Sequence, residues 1–250
     1  MGKTSPQSNT DSVAEHESAL TSASAHVCFW SVAMLLLSLD LWSKKWAFAA
    51  LPVDGSRTWI DGWVEFRRSL NDGAVFGSFT GYTSVFVGAS ICALAFVFYL
   101  FAHSGRKQWG LHMALAMILS GAIGNLYDRA FIIADVAKIV DDSGVRQTMI
   151  GVVLSDPGEK TVRIGSYPEG AHPKRLDRER YQVTLHRQGV VRDFIRFVPH
   201  FPRWFPTRAG HEIWPWVFNV ADASLVCGVG ILLLSSLFGH RGNSPSETEQ

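Results

Sequence analysis

Apolar and polar residues are sorted into blocks along this chain. From Ala25 to Leu39 there is no Asp, Glu, Lys or Arg, and the apolar character continues past Asp40 to Leu51. Thr80 to Ala102 and Trp109 to Tyr127 carry no such charge either, and a fourth block, Ala223 to Gly239, is preceded by WPWVFNVAD. A helix needs roughly 20 mainly apolar residues to cross a bilayer core. Buried helices of soluble domains are usually shorter and keep a polar stripe. The pattern therefore predicts four membrane-spanning helices. Between the third and the fourth, Gln147–Ser155, Lys160–Tyr167 and Arg180–Arg187 read as strands. Val162, Ile164, Val183 and Leu185 alternate there with polar neighbours, and DPGE (Asp156–Glu159) reads as a hairpin turn.

These elements predict an all-α membrane protein of four transmembrane helices, with an extramembrane β-containing insert before helix 4. Residues 1–24 are rich in Ser and Thr and read as a disordered polar extension. No cationic stretch precedes the first apolar block, so no signal peptide is expected. Residues 25–130 hold helices 1–3 and the first outer loop, and 131–190 form the insert. Residues 191–239 form an active-site loop and helix 4, and 240–250 form a polar tail.

Composition alone would point elsewhere. Over 250 residues the chain is 47% hydrophobic and 18% charged, figures that suit a soluble domain. The polar segments dilute the apolar blocks to a mean hydropathy of only +0.11. A net charge of +1 gives no reason to expect a nucleic-acid partner. Cys28, Cys92 and Cys227 lie in apolar surroundings without CxxC or Cys/His spacing, so neither a disulfide framework nor a metal site is expected. No cofactor is implied.

The unusual polar residues gather on one side. Asp40 and Lys44 sit near the end of helix 1, and Asn71 precedes helix 2. Asn125, Asp128 and Arg129 close helix 3, while Asn219 and Asp222 open helix 4. With four spans, all of these fall at the membrane face where helix 1 ends. Ionisable residues at membrane depth are costly and mark functional sites by default. For Asp40 with Lys44, an i, i+4 pair, a structural ion pair is at least as good an account as catalysis. Asn125 and Asn219 are equally explained as bonds between helices. Asp222 is the hardest to explain structurally, because it opens an uncharged helix with no adjacent cation.

LDLWSK (Leu39–Lys44), NDGAVF (Asn71–Phe76), GAIGNLYDR (Gly121–Arg129), VRDF (Val191–Phe194) and FNVAD (Phe218–Asp222) resemble, in this order, the motifs of lipoprotein signal peptidase, or signal peptidase II. The resemblance covers roughly residues 27–130 and 191–240. It implies a membrane aspartyl endopeptidase that removes the signal peptide from diacylglyceryl-modified prolipoproteins, cutting before the lipidated cysteine. Asp193 and Asp222 match its catalytic pair. Asn71, Gly73, Asn125, Arg129 and Asn219 match residues that bind substrate or support the site, as does Asp128, the second choice for a direct catalytic role. Asp40 and Lys44 match a structural pair. The implied partners are the prolipoprotein substrate and membrane lipids, for a monomer. The implied location is the bacterial cytoplasmic (inner) membrane, with the site facing the outer side.

The chain departs from the family in three respects. Sixty-three residues, Ala130 to Arg192, stand where the family has a short link. Arg192 occupies a position that is more usually aliphatic. Lys44, Lys45, Arg57, Arg67 and Arg68 all lie on the site's side, so the positive-inside count does not favour the family orientation. The rival reading is a non-catalytic polytopic membrane protein whose polar cluster binds lipopeptides or relays protons.

Overall fold

Ser22 opens the first helix by accepting the Ala25 amide on its hydroxyl at 3.3 Å, the usual service of an N-cap serine. Helix α1 then runs over Ala23–Ala50, α2 over Thr83–Ala102, α3 over Trp109–Phe131 and α4 over Val220–Gly239. The computed structural model describes residues 18–73, 83–155, 158–204 and 210–239. Within 18–24, expected as part of the loose extension, Ala19–Thr21 form a 3-10 turn, and the Ala19 amide donates to the Ser104 carbonyl between α2 and α3. Residues 1–17, the tail from 240 and the Asp156–Pro157 half of the DPGE turn lie outside the described residues.

Among the described residues, α1, α3 and α4 are long and apolar enough to cross a membrane, and α2 contributes the shorter apolar run Val87–Ala102. Glycines let α3 approach α4. A Cβ on Gly121 would run into the carbonyl oxygen of Ala221, and one on Gly124 would lie 2.5 Å from Asp40 Oδ2 and 3.2 Å from the Ala221 Cβ. Backbones come this close only where side chains are absent, as is usual between membrane helices. This gives the GAIGN spacing a physical reason: its two glycines face the start of α4 and the Asp40 side chain.

The expectation of an all-α protein is corrected by the strands. Among the described residues, nine strands form two antiparallel sheets, and they are not confined to the insert. The first sheet joins β1 (Arg57–Ile60) and β2 (Val64–Asn71), from the loop after α1, to β8 (Val191–Phe197) and β9 (Val217–Phe218), which lead into α4. Its order is β1-β2-β8-β9. The second sheet is the insert itself: β3 (Ile133–Val140), β4 (Arg146–Val153), β5 (Thr161–Ser166), β6 (Ala171–Asp177) and β7 (Gln182–Gly189), in the order β6-β5-β4-β3-β7. The sequence places no strand at β1, β2, β3, β6, β8 or β9; in β8 the reason is plain. Val191, Arg192, Asp193 and Phe194 of β8 are all buried, so covered faces on both sides leave no period of two to read.

The insert is tied at its neck. Ile133 pairs with Gly189, and the Val190 amide donates to the Ile132 carbonyl at 2.9 Å. Gly189 is packed so tightly that a Cβ there would collide with the Arg129 carbonyl. The chain thus leaves α3 and returns to the same place before it enters β8. The neck therefore returns the chain to the end of α3, next to the start of β8 and Asp193.

Candidate active site

FNVAD makes a helix start. Asn219 is the N-cap of α4: its Oδ1 accepts the Asp222 amide at 2.9 Å, while Asp222 Oδ2 accepts the Asn219 amide at 3.2 Å. This reciprocal pair is a capping box built from Asn and Asp. It fixes Asp222 in the first turn of α4, where the aligned peptide dipoles favour negative charge. The other oxygen, Oδ1, accepts from Asn125 Nδ2 of α3 at 2.7 Å.

Asp193 arrives from the sheet. Ser69 is its direct partner on β2 and Asn71 pairs with Val191, so Asn71 and Asp193 are diagonal neighbours on one face. Asn71 Nδ2 donates to Asp193 Oδ2 at 3.2 Å, and Asn71 Oδ1 accepts the Gly73 amide at 2.8 Å. Asn219 Nδ2 donates to Asp193 Oδ1 at 2.6 Å. One asparagine therefore touches both aspartates, holding Asp222 through its cap and Asp193 through its amide. Asp193 is only 1% exposed. Burial pushes its carboxyl well above the usual carboxylate range, and the nearby Asp222 charge pushes it the same way. The donors Asn219 and Asn71 and the Lys44 charge pull back.

Behind this pair lies a buried ionic layer. Lys44 Nζ is 2.8 Å from Asp40 Oδ2 and 3.6 Å from Asp128 Oδ2, and it donates to Asn125 Oδ1 at 3.1 Å. Asp40 Oδ1 accepts the Ala221 amide at 2.8 Å, so a carboxylate of α1 satisfies a free donor at the start of α4. Asp128, fully buried, is held by Arg192: the Arg192 amide donates to Oδ2 at 2.9 Å and Nη2 to Oδ1 at 2.7 Å. Arg129 lies within electrostatic reach of Asp222, Asp193 and Asp128.

All ten residues singled out from the sequence thus converge on one end of the helices. A cavity of about 520 Å3 opens there, lined by Asp193, Asp222 and Asn71 and walled by Trp214 and Trp216. Two further residues belong to the site. Arg192 was noted only as unusual, and its partner was invisible because Asp128 is 64 residues away. Asp72 lines the same cavity at 4% exposure, with Oδ2 buried and without a hydrogen-bond partner among the described residues. Its only signal was an extra acid inside NDGAVF.

Comparison with known proteins identifies the family. The family model described as "Signal peptidase (SPase) II" matches residues 32–238. A protein named lipoprotein signal peptidase from Desulfitobacterium hafniense (strain DSM 10664 / DCB-2) is 26% identical over 178 residues, 71% of this chain and 72% of that protein. One of the same name from Rhodopirellula baltica is 36% identical over 111 residues, covering 43% of this chain and 50% of its own. A solved chain described as a bacterial membrane enzyme structure obtained by the in meso method superposes with a TM-score of 0.55 at 18% identity. It covers 88% of this chain and 94% of its own, a likeness of fold alone. Because the family match begins within α1, ends within α4 and takes in every residue of the polar cluster, this bacterial membrane protein belongs to the signal peptidase II family of proteases.

Proposed function

We propose that this chain is an aspartyl endopeptidase of the bacterial cytoplasmic membrane that removes the signal peptide of diacylglyceryl-modified prolipoproteins, cutting before the lipidated cysteine. The observation that carries the reading is the double engagement of Asn219, which bonds to both Asp193 and Asp222 beside a cavity. A buried carboxylate and a half-buried one in electrostatic contact do not both ionise readily and share one proton. Asp193 has the surroundings that hold a proton. Asp222, at a helix N-terminus and accepting two N–H donors, has those that stabilise charge.

The chemistry follows from that asymmetry. Asp222 takes a proton from a water molecule, whose oxygen attacks the scissile carbonyl carbon. Asp193 hydrogen-bonds the carbonyl oxygen and gives its proton to it as the tetrahedral intermediate forms. The proton now on Asp222 goes to the leaving amine as the C–N bond breaks, and the hydroxyl proton returns to Asp193. Asn71 and Asn219 keep Asp193 oriented throughout. Asp128 is a support in this scheme, since it is sealed from the cavity and both its oxygens are engaged by Arg192. The site faces the outer leaflet, where the lipidated cysteine of such a substrate lies.

The test is cleavage of a diacylglyceryl prolipoprotein by the purified full chain. Asp193→Asn and Asp222→Asn are each expected to lower kcat by about 10²- to 10⁴-fold, the usual worth of a general acid or base. Full activity in either variant refutes the pairing. Absence of cleavage in the wild type, with the polar cluster intact, would favour the non-catalytic lipopeptide or proton relay.

A further inference from the structure

Outside the peptidase site, Arg68 is the cation among the described residues with side-chain nitrogens buried and lacking a hydrogen-bond partner, its guanidinium lying 6.0 Å from the Phe48 ring centroid. Its side chain is 11% exposed, and its nearest carboxylate, Glu169 Oε2, is 3.9 Å from Nη1, beyond hydrogen-bond reach and itself 62% exposed. Nε and Nη1 are both buried without an acceptor. Burying donors of a charged group without partners is expensive unless a ligand supplies them.

The backbone is arranged to put the guanidinium there. Phe66 pairs with Ile195 and Ser69 with Asp193, so β2 has one residue more than β8 over this interval, a bulge at Arg67–Arg68. Bulges re-aim side chains that regular pleating would direct elsewhere. Arg68 lines a cavity of about 230 Å3 between the two sheets. Thr148 of β4, Ser166 of β5 and the following Tyr167 line it with hydroxyl-bearing residues, Ser69 of β2 stands between it and the peptidase cavity, and Phe48, in the last turn of α1, forms an apolar wall with Val53, Leu70 and Ile150. Among the described residues none of these hydroxyls makes a side-chain hydrogen bond, and no carboxylate lines the cavity. Arg68 also borders a neighbouring hollow with Arg67, Arg196 and Asp54; Arg196 is paired with Glu65 and Glu212, so Arg67 is the cation that adds to the positive field at the entrance.

We propose that this junction between the insert and the first sheet is a binding site for a phosphate-class anion. Arg68 supplies the charge and the Nε and Nη1 donors, and the hydroxyls of Thr148, Ser166 and Tyr167 take the remaining oxygens. A guanidinium presents two parallel N–H groups at the spacing of two phosphate oxygens. A space of several waters' volume, at roughly 30 Å3 each, admits a phosphate group. The cavity lies beside Phe48 in the last turn of α1, an end of the helix open to a phospholipid headgroup as well as to phosphate in solution. The insert supplies Thr148, Ser166 and Tyr167, so the site exists only because the chain carries that sheet. It uses neither Asp193 nor Asp222, and a binding measurement reads it independently of cleavage.

The experiment uses the purified full chain in two arms. In one, inorganic phosphate is titrated in detergent against chloride at equal ionic strength, and binding is read by calorimetry. In the other, retention of phosphatidylglycerol over phosphatidylcholine from mixed nanodiscs is read by native mass spectrometry. Arg68→Met, which keeps the bulk of the side chain, is expected to weaken binding at least tenfold in whichever arm shows it. Thr148→Val, on the insert side, is expected to weaken it several-fold and serves if Arg68→Met does not fold. Phosphatidylglycerol alone identifies a headgroup site, phosphate alone a soluble anion, and both a site open to either. Binding absent from both arms, or equal in the wild type and the folded variants, overturns the proposal.

Discussion

Arg192 forks its guanidinium and its own amide onto Asp128, with Nη2 2.7 Å from Oδ1 and the backbone nitrogen 2.9 Å from Oδ2. The neighbouring residue is Asp193, so this clamp ties the second carboxylate of the site to the end of α3. Asp128 is fully buried and the Arg192 side chain nearly so. Removing one partner leaves the other charge buried and unpaired. Arg192→Leu and Asp128→Asn are each expected to cost about 3–5 kcal/mol, the usual penalty for breaking a buried pair. The double variant Asp128→Leu/Arg192→Leu should recover part of that loss. Thermal unfolding in detergent measures it, and additive losses would show that the pair is not coupled.

Asn219 has two separable duties, capping α4 and holding Asp193. Serine is also a good N-cap. Asn219→Ser should therefore keep stability near that of the wild type while cleavage falls, because the Nδ2 donor to Asp193 Oδ1 is gone. Asn219→Ala should lose cleavage and also about 1 kcal/mol of stability through the missing cap. Equal activity in the wild type and the serine variant would show that the contact with Asp193 does not matter.

The raised carboxyl of Asp193 sets the sign of a pH effect. Between the ordinary carboxylate pKa and its own, the folded chain holds a proton that the unfolded chain has released, so stability falls as pH rises through that window. Activity that needs protonated Asp193 falls over the same limb. Asn71 donates to the ionised form, so Asn71→Leu should move the alkaline limb of kcat/KM to higher pH. A limb that stays put or moves lower would contradict the assignment. Asp193→Asn should flatten the same limb of the unfolding profile.

Gly124→Ala is a small change with a large expected effect. The added Cβ would stand 2.5 Å from Asp40 Oδ2 and 3.2 Å from the Ala221 Cβ, pressing α3 away from α1 and α4. Overpacking of this kind costs about 1–3 kcal/mol. It also displaces the carboxylate that bonds the Ala221 amide. Gly110→Ala on the same helix meets nothing and should be neutral in the same unfolding assay.

The insert can be shortened without cutting its neck. Ala137 pairs with Leu185 across β3 and β7, so an Asn-Gly turn in place of residues 138–184 closes a two-residue hairpin there. Gly189, Val190 and Arg192 keep their contacts. Cleavage should remain measurable but reduced, because Ile150 and Tyr167 pack against Val136, Val190 and Leu70 and would be lost. Complete loss of cleavage in a folded, membrane-inserted variant would mean that the distal sheet positions substrate or Asp193.

How much was legible in the sequence depends on how far each feature reaches along the chain. Asn125, Asp128, Asn219 and Asp222 stood out because polar and ionisable residues at the ends of uncharged helices are conspicuous without knowledge of any distant partner. Arg192 and Asp72 did not. The meaning of Arg192 lies in a residue 64 positions away, and that of Asp72 in a cavity walled by Trp214 and Trp216. Strands β1 and β2 were hidden as a loop, and β8 shows no alternation because both its faces are covered.

By itself the sequence determined the apolar helices, since uncharged runs of this length satisfy their backbone groups only by forming helices in a membrane. It also determined which polar residues stand at their ends. Only the tertiary structure decided that Asp193 meets Asp222. That meeting depends on β8 pairing with β2, on Arg192 clamping Asp128 and on Gly189 seating the neck of the insert against α3. Those are contacts between distant segments. They exist only once the chain has closed on itself, and no local propensity encodes them.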